Sequence, residues 1–393
     1  MFRPTRILQV AVTSLFLSGC AATGGGQSAT SQNPLPPSSS PISTGMNTGA
    51  SESARGDFLQ PDGQLLPELQ HFAQETAQAQ SIPLDEIVAL LSSARYNAQA
   101  VRLMTPPATP QRRLRRAWTS YRKRHVDPVR IRRGVTFWQD NRISLDAASA
   151  RTGVPPSILV AIVGIETVYG SFTGNHRVLD TLTTLGFRFP DPTRPQRQQM
   201  FRDQLVDLLV LNHEGKLNAR TVEGSFAGAI GLPQFMPGSI MRYAVNAQGN
   251  SDGQIDLEHS PADAIASVAA FLQAHGWVRG VPVFAPIRLP ANPARLVQDG
   301  LQPLSNWPTL QAAGGQALPG AETVWQSQPL GVIDLQDEIL GTHDYRTATP
   351  NFFAITHYNH SYFYAASVAD LAHEIAVRVG YGDPNQPNTP VDK

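Results

Sequence analysis

The sequence has a single cysteine and no excess of either charge, and both features exclude classes of protein. With Cys20 alone, no intrachain disulfide can form, so core packing must hold the fold together. Lys and Arg total 31 residues and so do Asp and Glu, which removes the electrostatic case for a nucleic-acid partner. No segment after residue 20 is apolar enough to predict a membrane-spanning helix. The 393 residues are enough for two or three domains and a sizeable core.

The N-terminal segment has the pattern of a bacterial export signal. Arg3 and Arg6 precede a mostly apolar stretch, residues 7–17, which is too short to span a bilayer as a stable helix. The stretch ends in LSGC at residues 17–20, which resembles the lipobox of bacterial lipoproteins. This resemblance implies cleavage before Cys20 and a lipid anchor on its thiol, where several acyl chains bind a membrane stably. Ala21, in place of Asp, favours the periplasmic face of the outer membrane. The alternative is an ordinary secretory signal with a chance cysteine.

Composition and periodicity divide the rest of the chain. Small and polar residues dominate up to residue 56 and cannot bury enough apolar surface to order, which indicates a flexible tether. Helical periodicity follows, except where residues 277–350 combine Pro and Gly with short apolar runs at 281–287 and 332–335. The predicted fold class is therefore mainly α (α+β). The predicted segments are a signal peptide (1–19), a tether (20–56), an N-terminal helical segment (57–110), a helical core (111–276), a small β-containing insert (277–350), the C-terminal part of the core (351–380) and a disordered tail (381–393).

One carboxylate lies at the end of a predicted buried helix. Residues 155–170 read PPSILVAIVGIETVYG, in which two prolines suit a helix start. Residues 158–165 are apolar on every face apart from Gly164, as in a core helix, and Glu166 follows them. Glu166 is either a structural residue paired with an arginine or a backbone N–H, or a general acid. In the second case the apolar surroundings raise its pKa, so that it holds a proton near neutral pH.

Two further segments have the composition of a sugar-binding cleft. Residues 224–237, GSFAGAIGLPQFMP, combine glycines that permit close backbone approach with Ser225 and Gln234, which can bond sugar hydroxyl and acetamido groups. Residues 358–364, YNHSYFY, surround Asn359 with aromatic rings, on which the C–H faces of sugars can pack. The alternatives are a glycine-rich turn and core aromatics beside a helix cap.

Together these motifs resemble the membrane-bound lytic murein transglycosylase B family. The resemblance rests on GIETVYG around Glu166, on residues 224–237, on AHGW at 274–277 and on YN at 358–359, and it extends from about residue 60 to 378. It implies a lysozyme-like fold with a helical core, an extra helical domain and a small β domain. It also implies a lyase that cleaves the β-1,4 bond from N-acetylmuramic acid to N-acetylglucosamine without water and leaves a 1,6-anhydro ring.

The resemblance also implies which residues act. Glu166 corresponds to the sole catalytic glutamate of the family. Phe271 stands where the family member compared has tyrosine, so a ring is kept and a hydroxyl is lost. The expected substrate-binding residues are Tyr121, Ser225, Gln234, Phe271, Tyr358, Asn359 and Tyr364.

A single carboxylate favours substrate-assisted chemistry over the two-acid chemistry of ordinary glycosidases. Glu166 would protonate the leaving oxygen, and the substrate's N-acetyl group would stabilise the positive charge at the anomeric carbon. Glu166 would then take the proton from the muramoyl 6-hydroxyl as that oxygen attacks. A hydrolytic muramidase and a non-catalytic peptidoglycan-binding lipoprotein are the alternatives. The expected partners are peptidoglycan glycan strands, the membrane through Cys20, and cell-wall synthesis or remodelling proteins, with no nucleic acid and no required cofactor.

An imperfect EF-hand-like loop lies within residues 246–263, and the family carries such a calcium loop in some members. The loop has spaced oxygen side chains and a central Gly253, but it lacks an acidic first ligand, and His259 stands where a bidentate Glu is needed. It predicts either a weak structural Ca2+ site or a plain polar turn. The candidate ligands are Gln248, Asn250, Asp252, Asp256 and Asp263.

Overall fold

A computed structural model describes residues 58–106, 115–247 and 255–382 of the chain. These ranges contain fourteen α-helices and three two-stranded sheets, so the mainly α class predicted from the sequence is confirmed. Some predictions fall outside the described residues. They are the signal peptide, the tether, the lipid anchor at Cys20, the candidate calcium ligands Gln248, Asn250 and Asp252, and the tail beyond residue 382.

Three short helices open the described chain: α1 (Pro67–Gln80), α2 (Leu84–Leu91) and α3 (Ala98–Met104). Helix α2 begins directly after Pro83, and it buries the face formed by Ile87, Leu90 and Leu91. The side chain of Asn97 caps α3 by accepting the N–H of Ala100, 3.0 Å away. The same side chain donates to the hydroxyl of Thr181 at 3.0 Å, which fixes α3 to the main helical core.

The main core surrounds a central helix, α7 (Pro156–Thr167), whose twelve residues are all buried. It packs against α5, α6, α11 and α14, so no face of it meets solvent, as the apolar sequence predicted. A two-stranded sheet of β1 (His176–Arg177) and β2 (Glu223–Gly224) lies among these helices. The other core helices are α4 (Trp118–His125), α5 (Pro128–Asp140), α6 (Arg142–Thr152), α8 (Val178–Phe187), α9 (Pro195–His213), α10 (Pro237–Tyr243), α11 (Pro261–Ala274), α13 (Pro350–Thr356) and α14 (Tyr362–Val379).

The remaining strands all lie between α11 and α13. The longest pair is β5 (Gly331–Asp337) with β6 (Thr342–Ala348), which run antiparallel, and β3 (Ile287–Arg288) pairs with β4 (Gln316–Ala317). Of the apolar run 281–287, only Ile287 lies in a strand, because Pro282 and Pro286 lack the N–H that a strand ladder requires. A second hydrophobic cluster supports this part together with α12 (Trp307–Ala312). It consists of Val281, Ala285, Leu310, Trp325, Leu330 and Val332. The segment boundaries given above stay predictions.

Within the described ranges, no single helix is long and apolar enough to cross a membrane. Helices α6 and α7 reach the necessary length and composition only when taken together. The chain bends by 115° between them, and α7 is wholly buried in the core.

The turn that follows α7 folds back against the helix. Val168 and Tyr169 have φ values of 51° and 58°, a left-handed conformation that is unfavourable for β-branched and bulky residues. The Tyr169 hydroxyl then lies in the space left by two glycines. An added Cβ would come within 2.3 Å of that oxygen at Gly164 and within 2.5 Å at Gly134. These glycines therefore make room for the turn that fixes the end of α7, beside Glu166.

We predict that Gly164→Ala lowers stability, although alanine favours helices. The added methyl overlaps the Tyr169 ring, and overpacking of this kind costs about 1–3 kcal/mol. Denaturant unfolding should show the loss, and adding Tyr169→Phe should recover part of it by removing the closest atom. Gly186→Ala in α8 is the matched control, because its closest neighbour, Cγ of Arg202, lies 3.2 Å away and so is overlapped far less. Equal stability of Gly164→Ala and wild type would contradict this packing.

Candidate active site

Glu166 lies in the last turn of α7 and is 6 % exposed. Its Oε1 accepts a hydrogen bond of 2.6 Å from the hydroxyl of Tyr364, near the start of α14. In the described part of the chain it forms no ion pair, so the structural interpretation as the partner of an arginine has no support here. Burial raises the pKa of Glu166 to about 7, and the bond from Tyr364 opposes this rise without cancelling it.

Three tyrosines surround this carboxyl group. The rings of Tyr358 and Tyr364 stack with centroids 6.2 Å apart and planes at 12°. Burial raises the pKa of Tyr121 to about 12, and the charge of Glu166 adds to the rise. Burial and the same charge also hold the pKa values of Tyr358 and Tyr364 well above 10. All three phenols therefore stay protonated at neutral pH and can donate hydrogen bonds. Such donors can stabilise the Glu166 carboxyl group when it is ionised.

The glycine-rich segment at 224–237 is bound to the end of α7. The Thr167 hydroxyl donates to the carbonyl oxygens of Leu232 and Val163, 3.2 Å from each. Tyr358 donates its hydroxyl to the carbonyl oxygen of Pro233 at 2.5 Å. Glu166, the glycine-rich segment at 224–237 and the pair of Tyr358 and Tyr364 therefore form one hydrogen-bonded unit, although they come from three distant parts of the sequence.

Gln234 and Ser225 mainly hold this loop in shape. Gln234 has a φ of 50°, and its side-chain NH2 donates to the carbonyl oxygens of Thr173 and Gly231, each 3.0 Å away. This leaves only its side-chain oxygen to meet a ligand. The hydroxyl oxygen of Ser225 accepts the N–H of Ala229 at 3.1 Å, while its proton stays available for donation. Both residues lie within the 224–237 loop, and most of their polar side-chain atoms bond backbone groups.

Phe271 and Asn359 occupy different layers of the site. Phe271 is 6 % exposed and packs edge-on against Tyr358, with centroids 4.9 Å apart, so its ring supports the tyrosine from behind. Asn359 is also buried, yet within the described ranges its side-chain amide has no hydrogen-bond partner. Its amide is therefore an unused donor and acceptor beside the tyrosine pair.

Helix α4, which carries Tyr121, is held by a charged network that the sequence analysis missed. Asp370 on α14 accepts from Arg122 and from Arg346, each at 2.6 Å. The guanidinium of Arg346 also lies 5.6 Å from the centre of the Trp118 ring. No local motif could have indicated these pairs, because Asp370 and Arg122 are 248 positions apart.

The described part of the calcium-like loop is closed by hydrogen bonds. The Asp263 carboxylate accepts the N–H of Ala247 at 2.8 Å and that of Asp256 at 3.0 Å, so it ties the two ends of the loop together. The carboxylate of Asp256 accepts the N–H groups of Glu258 and His259. No group of three His, Cys, Asp or Glu residues suited to a metal ion occurs in the described residues. Asp256 and Asp263 alone do not make a site.

Comparisons with known proteins agree with the sequence resemblance. The family model for the transglycosylase SLT domain matches residues 64–373. Membrane-bound lytic murein transglycosylase B of Escherichia coli K12 is 33% identical over 361 residues, which cover 86% of this chain and 94% of the relative.

Solved structures give the same result for the fold. The Escherichia coli lytic transglycosylase Slt35 in complex with calcium has a TM-score of 0.67 at 31% identity and covers 84% of this chain and 99% of that one. SltB3 from Pseudomonas aeruginosa in complex with NAG-anhNAM-pentapeptide has a TM-score of 0.65 at 27% identity, with 78% of each chain covered. The lysozyme-like fold that the resemblance implied is thereby confirmed.

We predict that Glu166 makes the stability of the fold depend on pH. Its pKa is about 7 in the folded chain, against 4.5 for an ordinary glutamate, so between these values the folded chain binds more protons than the unfolded one. The stability that the protonated Glu166 contributes to the fold is fully present below about pH 4.5 and is lost as the pH rises through 7. The shift corresponds to about 3 kcal/mol as an order of magnitude.

Urea unfolding at several pH values tests this prediction. Glu166→Gln removes the titration, so its stability relative to wild type should rise by a few kcal/mol between about pH 4.5 and 8. Glu75→Gln is the matched control, because Glu75 is exposed on α1 and its removal should leave the wild-type pH dependence nearly intact. Parallel stability curves for wild type and Glu166→Gln would contradict the raised pKa.

Proposed function

Because the chain belongs to the SLT family of lytic transglycosylases, which are enzymes that act on peptidoglycan, we propose that Glu166 is its single catalytic acid and base. In this proposal the enzyme cleaves the β-1,4 bond between N-acetylmuramic acid and N-acetylglucosamine and leaves 1,6-anhydromuramoyl ends. The observation that carries the proposal is the buried Glu166 carboxyl, whose pKa is about 7 and whose Oε1 is bonded to Tyr364.

The first step is proton donation to the leaving oxygen. A carboxyl group with a pKa near 7 populates both its forms at neutral pH, which suits a residue that must act as acid and then as base. Tyr364 occupies Oε1, so Oε2 is the atom that carries the proton. As the bond from the muramoyl anomeric carbon to the leaving oxygen breaks, that oxygen takes the proton and Glu166 becomes a carboxylate.

The positive charge that develops at the anomeric carbon is stabilised by the substrate. Retaining glycosidases place a second carboxylate about 5–5.5 Å from the first, close enough to perturb its pKa. Within the described chain, burial and the Tyr364 hydrogen bond account for the pKa of Glu166, and no second acid contributes. This supports a reaction in which the N-acetyl carbonyl of the muramoyl residue does what a second carboxylate does elsewhere.

The final step is internal attack. Ionised Glu166 takes the proton from the 6-hydroxyl of the same muramoyl residue while that oxygen bonds to the anomeric carbon. One C–O bond breaks and one forms, and the proton given to the leaving group is replaced by the one taken from the 6-hydroxyl, so no water is consumed. The hydrogen bond from Tyr364 stabilises the carboxylate that exists between the two steps.

The seven expected substrate-binding residues fall into two groups. Tyr121 and Asn359 keep polar atoms that can reach a sugar, and Ser225 and Gln234 keep one such atom each. We propose that the others act mainly by holding the site in shape. Tyr364 bonds Glu166, Tyr358 bonds the loop, and Phe271 packs behind Tyr358.

Digestion of purified peptidoglycan tests the reaction. Mass spectrometry should find muropeptides lighter by one water than hydrolytic products, because the 6-hydroxyl replaces water. Glu166→Gln should lower the rate by about 10²–10⁴-fold, the usual contribution of a general acid or base. Glu75→Gln, the exposed control, should digest at the wild-type rate. Reducing ends alone would show a hydrolytic muramidase, and wild-type digestion by Glu166→Gln would exclude this site.

We propose that the enzyme works at the periplasmic face of the outer membrane, anchored by lipid at Cys20. The support is the LSGC sequence together with a relative named as membrane-bound. A weak structural Ca2+ site in residues 246–263 also stays a proposal, supported by a similar structure in complex with calcium. No step of the reaction uses a metal. Binding to cell-wall synthesis or remodelling proteins stays a prediction.

We predict that Cys20→Ala moves the protein from the membrane to the soluble fraction of the periplasm. The acyl chains on the thiol supply the affinity for the membrane, and alanine cannot carry them. Ser18→Ala is the matched control, because it keeps the thiol and should leave the protein in the membrane pellet. Detergent-free fractionation measures both variants. A mature wild-type protein whose Cys20 thiol carries no acyl chain by mass spectrometry would overturn the lipid anchor.

A further inference from the structure

A pocket of about 390 Å³ lies where the β-containing part of the chain meets the start of α14. Arg116, Asp299 and Asp334 line it together with residues 360–363. None of the seven expected substrate-binding residues lines it, so it is distinct from the proposed glycan site. Its charged lining sets it apart from the tyrosines around Glu166.

Asp334, on strand β5, lines this pocket, and one of its two carboxylate oxygens is unpaired. Its Oδ2 bonds Nδ1 of His343 at 2.8 Å, whereas its Oδ1 is buried and has no partner among the described residues. Leaving a buried carboxylate oxygen without a donor costs more free energy of folding than an ordinary hydrogen bond contributes. An ammonium group bound in the pocket therefore places a favourable charge beside this under-paired carboxylate.

The other groups of the pocket complement a ligand with two charges. Asp299 adds a second negative charge. Burial raises the pKa of Tyr362, and the charge of Asp299 adds to this rise. Arg116 lines the pocket, bonds Glu338 through its Nε at 3.0 Å and is half exposed. His360 also has a buried Nδ1 without a partner in the described part, and burial lowers its pKa, so it stays neutral beside a cation at neutral pH.

The pocket adjoins the active site through Phe363. That ring lines the pocket and packs against Tyr121, with centroids 5.5 Å apart, while the next residue, Tyr364, bonds Glu166. A group bound in the pocket therefore lies one aromatic side chain away from Tyr121. Three residues of extended peptide span about 10 Å, which suits a group attached to the muramoyl sugar by a short peptide.

We propose that this pocket binds the zwitterionic end of a diamino acid in the stem peptide of peptidoglycan. Asp334 and Asp299 take the ammonium group, and Arg116 takes the neighbouring carboxylate. The proposal rests on the proposed function, since it concerns the same substrate. A glycan alone offers neither charge. A bound metal ion is a poorer occupant, because these residues form no metal-binding group in the described chain.

Equilibrium binding of disaccharide–peptide fragments to the full-length protein tests the proposal. Two fragments are compared, one with the free diamino-acid ammonium and one with that amine acetylated. Wild type should bind the free form about 10–100-fold more tightly, the range for a hydrogen bond between charged groups. Asp334→Asn and Asp299→Asn should each reduce this ratio towards one, and Arg116→Gln should weaken binding of the free fragment.

Asp146→Asn removes an exposed acid on α6, outside the pocket, and should keep the wild-type ratio. Because Asp299 is exposed, its variant also keeps the test valid if Asp334→Asn folds poorly. Equal affinity of wild type for the two fragments overturns the proposal, as does a wild-type ratio in both aspartate variants. If the aspartate variants weaken binding of glycan without peptide as much as binding of the fragments, the pocket binds the glycan and the proposal is wrong.

The outcome is independent of the reaction. Binding is measured without turnover, so failure to find anhydro ends in the digestion would remove the proposed function and leave the binding ratio intact. Conversely, a ratio of one with anhydro ends present removes only the proposed pocket ligand.

Discussion

The hydrogen bond from Tyr364 to Glu166 joins two distant parts of the candidate active site, and the surrounding core keeps it away from solvent. The two residues are 198 positions apart and meet because α7 and α14 pack against each other in the core. Burial raises the pKa of the carboxyl, and the tyrosine limits that rise. The balance leaves an acid that can exchange its proton near neutral pH. A carboxyl exposed at the protein surface would be ionised there and could not donate.

The groups that hold Glu166 and Tyr364 in place come from several different elements of the fold. Gly164 and Gly134 admit the Tyr169 turn that ends α7, Thr167 ties that end to the glycine-rich loop, and Asp370 fixes α4 through two arginines. None of these groups needs to touch a substrate. They restrict where the carboxyl and the phenols can point, and the proposed reaction with one acid depends on preorganised groups of this kind.

Some of this arrangement could be predicted from the sequence. The apolar run before Glu166 indicated a fully buried helix, and all twelve residues of α7 are buried. This is a local signal, because the apolar residues of the helix are consecutive in the sequence. The partner of Glu166 and the Asp370 network depend instead on how distant helices pack, and no single segment contains that information. The use of Gln234 to hold the loop was missed for the same reason, since its partner Thr173 belongs to another segment.

Burial lets the Glu166 carboxyl keep a proton up to about neutral pH, and Tyr364 limits the rise of its pKa. A titration of this single carboxyl, by carbon-13 NMR of glutamate-labelled protein with Glu166→Gln for assignment, tests this most directly. We expect a pKa of about 7 in the wild type and a higher pKa in Tyr364→Phe, because the variant loses the donor that stabilises the carboxylate. An ordinary pKa near 4.5 in the wild type, or no change in the variant, would contradict it.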